Sequence, residues 1–372
     1  MTTTETDCRR LRLGTRGSRL ALTQSGQVAE ALMAAGGGGT AGEAGDGSGG
    51  LGIDLVTVRT DGDGDRTPLR QLGGVGVFAA RLRHALLDGE VDLVVHSFKD
   101  LPTQPVKGLE VICVPAREDP RDALCARDGL TLADLPEGAR VGTGSPRRAA
   151  QLLAARPDLE VVDLRGNVPT RLARVRGLGT VGVGTDEPVA PSRADAAGDL
   201  DAVVLALSGL RRLGLEHCAS EVLDLETMLP APAQGALAVE ARAGEGSAEL
   251  ARAVAALDDE PTRLAVTAER ALMARLGAGC AAPVGAWAHL REGRREPRVL
   301  MLRAVVTSLD GGQEVGCELS TELPEAPGGS EAPGDTAAVR EAEALGVRAA
   351  EVLLGDGADQ IVDLHANKPR RD

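Results

Sequence analysis

The chain has 372 residues, of which 43% are hydrophobic and 26% charged, and this composition indicates a soluble globular protein of two or three domains. Its formal net charge is -14, and its aromatic residues are Phe78, Phe98 and Trp287. A negative chain with so few rings disfavours nucleic-acid binding, which relies on cationic and stacking surfaces.

Strand and helix patterns alternate along the first part of the chain. Apolar runs predict strands over 11–15, 53–58, 91–96, 139–142, 159–164 and 201–206, and apolar residues at helical spacing predict helices over 19–35, 77–87, 146–155, 168–176 and 208–213. After about residue 258 the pattern predicts a helix over 259–276, strands over 282–289 and 298–308, and a helix over 336–354. This order indicates α/β layers followed by a smaller α+β domain.

Three segments, 36–52, 177–198 and 324–335, are rich in glycine, proline and small polar residues. Such segments bury too little apolar surface to offset the entropy of ordering them, so we expect loops or insertions without chemistry.

Polar and basic residues follow several predicted strands. Because ligands of open α/β sheets gather where strands end and helices begin, these residues are candidate ligand contacts. They are Arg16, Ser18, Ser97, Lys99, Asp100, Thr143, Ser145, Arg147, Arg148, Arg165, Arg171 and Arg212. Arginine forks suit carboxylate or phosphate, and no Walker A or GxGxxG sequence indicates a nucleotide. Ordinary solvent-facing arginines remain the alternative.

Three single residues have alternative interpretations. Asp100 follows one of only three lysines and is either a turn cap or a carboxylate in a cationic cleft that can transfer a proton. Cys280 lies in a loop of small residues, which suits nucleophilic or attachment chemistry, although a lone cysteine is more often a small buried residue. His96 fits a hydrogen-bonded core histidine.

The six cysteines form no CxxC pair and no histidine lies at ligand spacing, so no metal site is predicted. The N-terminus has no apolar segment, and no apolar run reaches membrane-spanning length. We therefore expect a cytoplasmic protein with free thiols and no membrane contact.

These motifs, in this order, resemble the porphobilinogen deaminase family. The matching stretches are 15–18, 73–78, 95–100, 117–122, 142–148, 164–168, 209–214, 232–235 and 279–280. The resemblance implies three domains, 9–116 with 236–253, 121–229 and 258–372. The first two would be α/β lobes like those of bilobal ligand-binding proteins, joined by crossovers near 117–120 and 229–234.

The resemblance also implies an activity. Enzymes of this family are transferases that condense four porphobilinogen molecules head to tail, release ammonia, and hydrolyse the product to hydroxymethylbilane. A dipyrromethane cofactor, attached to Cys280 through a thioether, would prime the chain. Asp100 would assist the loss of ammonia and stabilise the azafulvene cation. The implied cofactor-binding residues are Ser97, Lys99, Thr143, Ser145, Arg147, Arg148, Arg171 and Arg212, and the implied substrate-binding residues are Arg16, Ser18, Arg147, Arg165 and Arg171.

Some positions depart from the family pattern. Val75 stands where many members have lysine, Asp61 and Asp63 keep part of an acidic loop, and Gly144 replaces a frequent serine. These departures put single contacts in doubt. A monomer is expected, and direct handover of product to uroporphyrinogen-III synthase is left open. The rival hypotheses are a non-catalytic carboxylate-binding protein of the same architecture, a poorly active paralogue and, more weakly, a nucleic-acid regulator.

Overall fold

A computed structural model describes residues 10–37, 50–58, 77–178, 198–279, 281–293, 296–324 and 336–365. Most of the three predicted insertions, and the loop that contains Asp61, Asp63 and Val75, lie outside the described residues. No helix in the described ranges is long and apolar enough to cross a membrane.

The described strands and helices follow the predicted alternation. The strands are β1 (Leu11–Thr15), β2 (Ile53–Thr57), β3 (Leu93–Ser97), β4 (Leu109–Cys113), β5 (Asp122–Ala126), β6 (Arg140–Gly142), β7 (Glu160–Val162), β8 (Ala202–Ala206), β9 (Glu221–Val222), β10 (Leu237–Arg242), β11 (Val284–Gly293), β12 (Glu296–Thr307) and β13 (Glu314–Glu322). The α-helices are α1 (Arg19–Ala35), α2 (Val77–Leu87), α3 (Pro146–Ala155), α4 (Val168–Leu172), α5 (Leu207–Arg212), α6 (Ala248–Leu257), α7 (Glu260–Leu276), α8 (Ala337–Gly355) and α9 (Ala358–Ile361).

Two five-stranded sheets form the two lobes. In the first sheet the order is β2-β1-β3-β10-β4, and β10 runs antiparallel to both of its neighbours. In the second the order is β7-β6-β8-β5-β9, with β5 antiparallel to β8 and β9. Strand β8 is apolar and almost wholly buried because helices or loops cover both of its faces. The predicted pair of α/β lobes is confirmed.

The C-terminal unit is a three-stranded antiparallel sheet, β11-β12-β13, covered by α7 and α8. The sequence predicted two strands here, 282–289 and 298–308, and did not predict β13. Alternate residues of β13 are exposed, which is the pattern of a strand with one face towards solvent. Glu314–Glu322 pairs with β12 along its whole length.

Glu269 on α7 ties this unit to the two segments that connect the lobes. Its side chain is wholly buried and accepts hydrogen bonds from both terminal nitrogens of Arg117, at 2.7 and 3.1 Å. It also accepts from the backbone N–H of Ala233, at 2.5 Å, and of Ala288, at 2.7 Å. One carboxylate therefore joins the first crossover, the second crossover and the C-terminal sheet.

Candidate active site

Lys99 and Asp100 lie in a single 3-10 turn, Phe98–Asp100, directly after β3. Buried Phe98 anchors the turn, and the guanidinium of Arg270 lies 4.4 Å from the centre of its ring. Arg270 also donates to the carbonyl oxygen of Leu101 at 2.7 Å. The turn is thus held from the C-terminal unit, while Asp100 itself remains exposed.

The Lys99 ammonium lies among charges of both signs. Its Nζ donates to Oε1 of Gln234 at 3.2 Å. Burial lowers the pKa of Lys99 to about 8, and the cations Arg148 and Arg147 lower it further, whereas Asp100 and Asp122 oppose the shift. A guest carboxylate would stabilise the charged form of this side chain.

The loop before α3 has the features expected of an anion site. Ser145 caps the helix, because its Oγ accepts from the backbone N–H of Arg148, and Pro146 occupies the first turn. Thr143 is buried and its Oγ1 accepts from the N–H of Ser145 at 3.2 Å. A Cβ at Gly144 would lie 2.5 Å from the carbonyl oxygen of Leu164, so glycine here permits the close approach of the next loop.

Arg147 and Arg148 converge on a carboxylate that the sequence analysis missed, Asp122. Nη2 of Arg147 and Nη2 of Arg148 each lie 2.7 Å from it, one on each oxygen, and all three side chains are buried. Burial would raise the pKa of Asp122, but the two arginines outweigh it and hold that pKa far below its usual value. Both predicted ligand arginines therefore have an internal partner, and their contact with cofactor stays a prediction. The Arg-Asp ending of the 117–122 motif was the available signal.

Arg165 and Arg171 extend the cationic region within the second lobe. Asn167 caps α4, and Nε of Arg171 donates to the carbonyl oxygen of Gly166 at 2.7 Å. Burial lowers the pKa of Arg171 to about 10, with further lowering by Arg148 and Arg165, while Asp100 opposes it. Asp100 thus acts electrostatically on cations of both lobes.

The remaining predicted residues are placed less centrally. Ser18 caps α1, and Ser97 donates to Oε1 of Gln24 at 3.2 Å. Arg16 is half-buried after β1.

Arg212 donates to the carbonyl oxygen of Gly235 at 2.6 Å and lines a cavity of about 320 Å³ with Arg117 and Arg211. His96 is buried against Glu240, as the core interpretation predicted.

Cys280 lies outside the described residues, but both of its flanks are described. Helix α7 ends at Gly277, which takes the left-handed conformation, and the N–H of Ala282 donates to the carbonyl oxygen of Gly279 at 2.9 Å. The residues next to Cys280 in the sequence, Gly279 and Ala281, are small. Among the described residues, no group of three or more histidine, cysteine or acidic side chains could hold a metal ion.

The fold and the site define a two-lobed α/β protein with a cationic region suited to carboxylates. Residues 11–249 match the family model "Porphobilinogen deaminase, dipyromethane cofactor binding domain", and residues 263–355 match "Porphobilinogen deaminase, C-terminal domain". The chain belongs to the porphobilinogen deaminase family. Its activity is that of a transferase that makes hydroxymethylbilane from porphobilinogen, with a dipyrromethane cofactor. The predicted family, activity and cofactor are confirmed.

Named relatives cover nearly the whole chain. A porphobilinogen deaminase of Cutibacterium acnes is 52% identical over 363 residues, which are 97% of this chain and 99% of that protein. One of Micrococcus luteus is 50% identical over 390 residues, which cover 97% of this chain and 98% of that protein. Among solved structures, a TRAP periplasmic solute-binding protein from Roseobacter denitrificans has a TM-score of 0.32 and 12% identity, over 67% of this chain and 78% of that chain.

The described residues fit a cofactor that carries several carboxylates. Nε of Arg147 is buried and has no hydrogen-bond acceptor within the described parts of the chain. Lys99 and Arg171 both have lowered pKa values, partly because neighbouring cations disfavour their charged forms. Anionic groups placed here would relieve that repulsion, and Nε of Arg147 is a donor that one of them could satisfy.

Proposed function

We propose that Asp100 is the catalytic carboxylate of this enzyme. The proposal rests on an electrostatic observation. The charge of Asp100 raises the pKa of Lys99, in the first lobe, and that of Arg171, in the second. The side chain of Asp100 itself is exposed. A carboxylate in this position can stabilise positive charge on a substrate that the surrounding cations hold by its acid groups.

We assign the binding of acid side chains to the cationic and hydroxyl residues around it. The cofactor-binding set is Ser97, Lys99, Thr143, Ser145, Arg147, Arg148, Arg171 and Arg212, and the substrate-binding set is Arg16, Ser18, Arg147, Arg165 and Arg171. Cys280 would hold the cofactor through a thioether, since it matches the attachment cysteine of the family and its neighbours in the sequence are small.

The cofactor, when bound, supplies the pyrrole to which the first substrate is joined. The arginines orient each incoming porphobilinogen through its acetate and propionate. Asp100 stabilises the positive charge that develops on the substrate as ammonia leaves, and it accepts a hydrogen bond from the pyrrole N–H, which keeps its proton. Lys99, next to Asp100 in the same turn, offsets part of the negative charge that the growing product brings close to that carboxylate.

We also propose a cytoplasmic monomer with domains 9–116 with 236–253, 121–229 and 258–372. The pairing of β10 with β3 and β4 supports the first division, because it places residues after the second crossover in the first sheet. The described cysteines, Cys113, Cys125, Cys218 and Cys317, are free thiols, as suits a reducing compartment. Transient handover of product to uroporphyrinogen-III synthase would be a further step of the same pathway.

Two measurements test these assignments. The intact mass of the denatured protein should exceed that of its sequence by two condensed pyrroles, and Cys280→Ser should abolish the adduct. If cofactor-free wild-type protein gains no adduct on incubation with porphobilinogen, the proposed covalent attachment at Cys280 is overturned.

The Asp100→Asn variant should fold, and its turnover should be at least about a hundredfold lower than that of wild type, because the stabilising charge is lost. Asp163→Asn is the matched control: Asp163 is an exposed carboxylate that also acts on Arg171 but follows no catalytic motif. Equal turnover in the two variants would remove Asp100 from the mechanism.

A further inference from the structure

Gln234, in the second crossover, contacts charged groups of both lobes. Its side chain is wholly buried. Its Nε2 donates to the carbonyl oxygen of Pro120 at 2.7 Å and to Oδ1 of Asp122 at 2.8 Å. Its Oε1 accepts from Lys99 at 3.2 Å and, in a longer contact of 3.5 Å, from Arg148. Both donor and both acceptor positions of the amide are therefore used.

The backbone around Gln234 is unusually constrained. Ala233 has a positive φ of 61°, a backbone conformation that residues other than glycine rarely adopt, and Gly235 has a φ of 89°. A Cβ at Gly235 would overlap the carbonyl oxygen of Glu118. Glu269 binds the N–H of Ala233, and Nε of Arg117 donates to the carbonyl oxygen of Gln234 at 2.8 Å. Strain held by several contacts is typical of functional sites.

The residue type matters because two cations, Lys99 and Arg148, converge on one oxygen. With an apolar side chain at position 234, the acceptor that these two like charges share would be lost. A glutamate would accept from both, but it could not donate to Asp122, and its charge would cancel part of the positive field that binds carboxylates. An amide supplies the acceptor and leaves the charge unchanged.

We propose that Gln234 is a positioning residue that holds Lys99 of the first lobe against the Asp122–Arg148 pair of the second and keeps their net positive charge available to a carboxylate. The inference rests on the proposed function, since the cations it aligns are those assigned to carboxylate binding. It adds a residue that acts through Lys99.

The titration of Lys99 tests the proposal without recourse to turnover. The chain contains three lysines, Lys99, Lys107 and Lys368, so acetylation by trace acetic anhydride can be followed for each by peptide mass spectrometry over a range of pH. Lys107 is exposed and serves as the internal reference. The charges that act on Lys99 are Asp100, Asp122, Arg147 and Arg148, and all of them remain in the variants below.

Gln234→Met should lower the midpoint of Lys99 acetylation by on the order of one pH unit, because the ammonium loses an acceptor. Gln234→Glu should raise it, because the acceptor gains a negative charge. Gln151→Met is the matched control: Gln151 is also buried and its amide bonds both backbone groups of Leu229, at 2.7 and 3.1 Å. The Gln151→Met variant should lose a similar free energy of unfolding, and the pH midpoint of Lys99 acetylation should stay as in wild type.

The proposal is overturned if Gln234→Met shifts Lys99 no more than Gln151→Met does. If Gln234→Met does not fold, the glutamate variant decides, since it has nearly the same shape: a folded Gln234→Glu with an unchanged Lys99 midpoint also overturns it. Failure of the proposed function would be seen separately, as full turnover in Asp100→Asn with the lysine shifts still present.

Discussion

Lys99 illustrates how the site depends on protonation at the scale of one residue. Its pKa is lowered to about 8 by burial and by Arg148 and Arg147, so the ammonium is charged below that pH and neutral above it. Charge on Lys99 favours the capture of a carboxylate, and a bound carboxylate in turn favours the charged form. Binding of acid groups should therefore weaken as the pH rises through about 8.

We expect the rate at which cofactor-free enzyme takes up its cofactor from porphobilinogen to fall above pH 8. Intact-mass measurements of the adduct at a series of pH values would show the fall directly. Lys99→Arg should remove it, since arginine stays charged throughout this range. Lys107→Arg, at an exposed site, should leave the profile as in wild type. A profile that is unchanged in Lys99→Arg would assign the dependence to another group.

The sequence pointed to candidate residues of the site more readily than to their partners. Motif and strand position selected Asp100, Lys99 and Arg171, and in the structure the charge of Asp100 acts on both cations, while their roles stay predictions. Asp122 and Gln234 lie in the matching stretches 117–122 and 232–235 but were not selected, because a buried hydrogen-bond partner is recognised only by its contacts. Its role depends on contacts with residues 25 or more positions away along the chain, which only the folded chain creates.

At the scale of elements, local periodicity predicted most helices and strands, whereas only the family resemblance grouped residues 236–253 with the first lobe. Strand β10 inserts between β3 and β4 although residues 121–229 separate it from both. Close packing of two helices is similarly invisible to periodicity: a Cβ at Gly346 of α8 would overlap the carbonyl oxygen of Ala268 on α7. Glycine there allows the two helix backbones to touch.

Gly346→Ala should destabilise the C-terminal unit by about 1–3 kcal/mol, because the helices must separate to admit the methyl group. Gly26→Ala in α1 is the matched control, since no atom lies within 4 Å of a Cβ there. That change should be neutral or stabilise by up to about 1 kcal/mol through helix propensity. Urea unfolding followed by the fluorescence of Trp287, the sole tryptophan, reports on this unit. Equal midpoints for Gly346→Ala and wild type would contradict the packing argument.

At the scale of the whole molecule, a buried carboxylate of the C-terminal unit forms hydrogen bonds with the segments that connect the lobes. Glu269 accepts four hydrogen bonds, from Arg117 and from backbone groups of the second crossover and β11. A second link between units, Glu226 with Arg303, is an ion pair whose glutamate side chain is 79% exposed. Buried pairs leave an uncompensated charge when one partner is removed, whereas exposed pairs contribute little. The two links should therefore differ sharply in their effect on cooperativity.

Glu269→Gln should lower the free energy of unfolding by about 3–5 kcal/mol and split the thermal transition, because an amide has one oxygen for four donors and leaves Arg117 buried without its counter-ion. Glu226→Gln should cost less than about 1 kcal/mol and keep a single transition. Calorimetry measures both variants, and Trp287 fluorescence identifies which transition belongs to the C-terminal sheet. If Glu269→Gln unfolds in one transition near that of wild type, the carboxylate does not couple the units. In that case apolar packing at the crossovers, such as that of Val266 against Ala233 and Val114, would have to maintain the coupling.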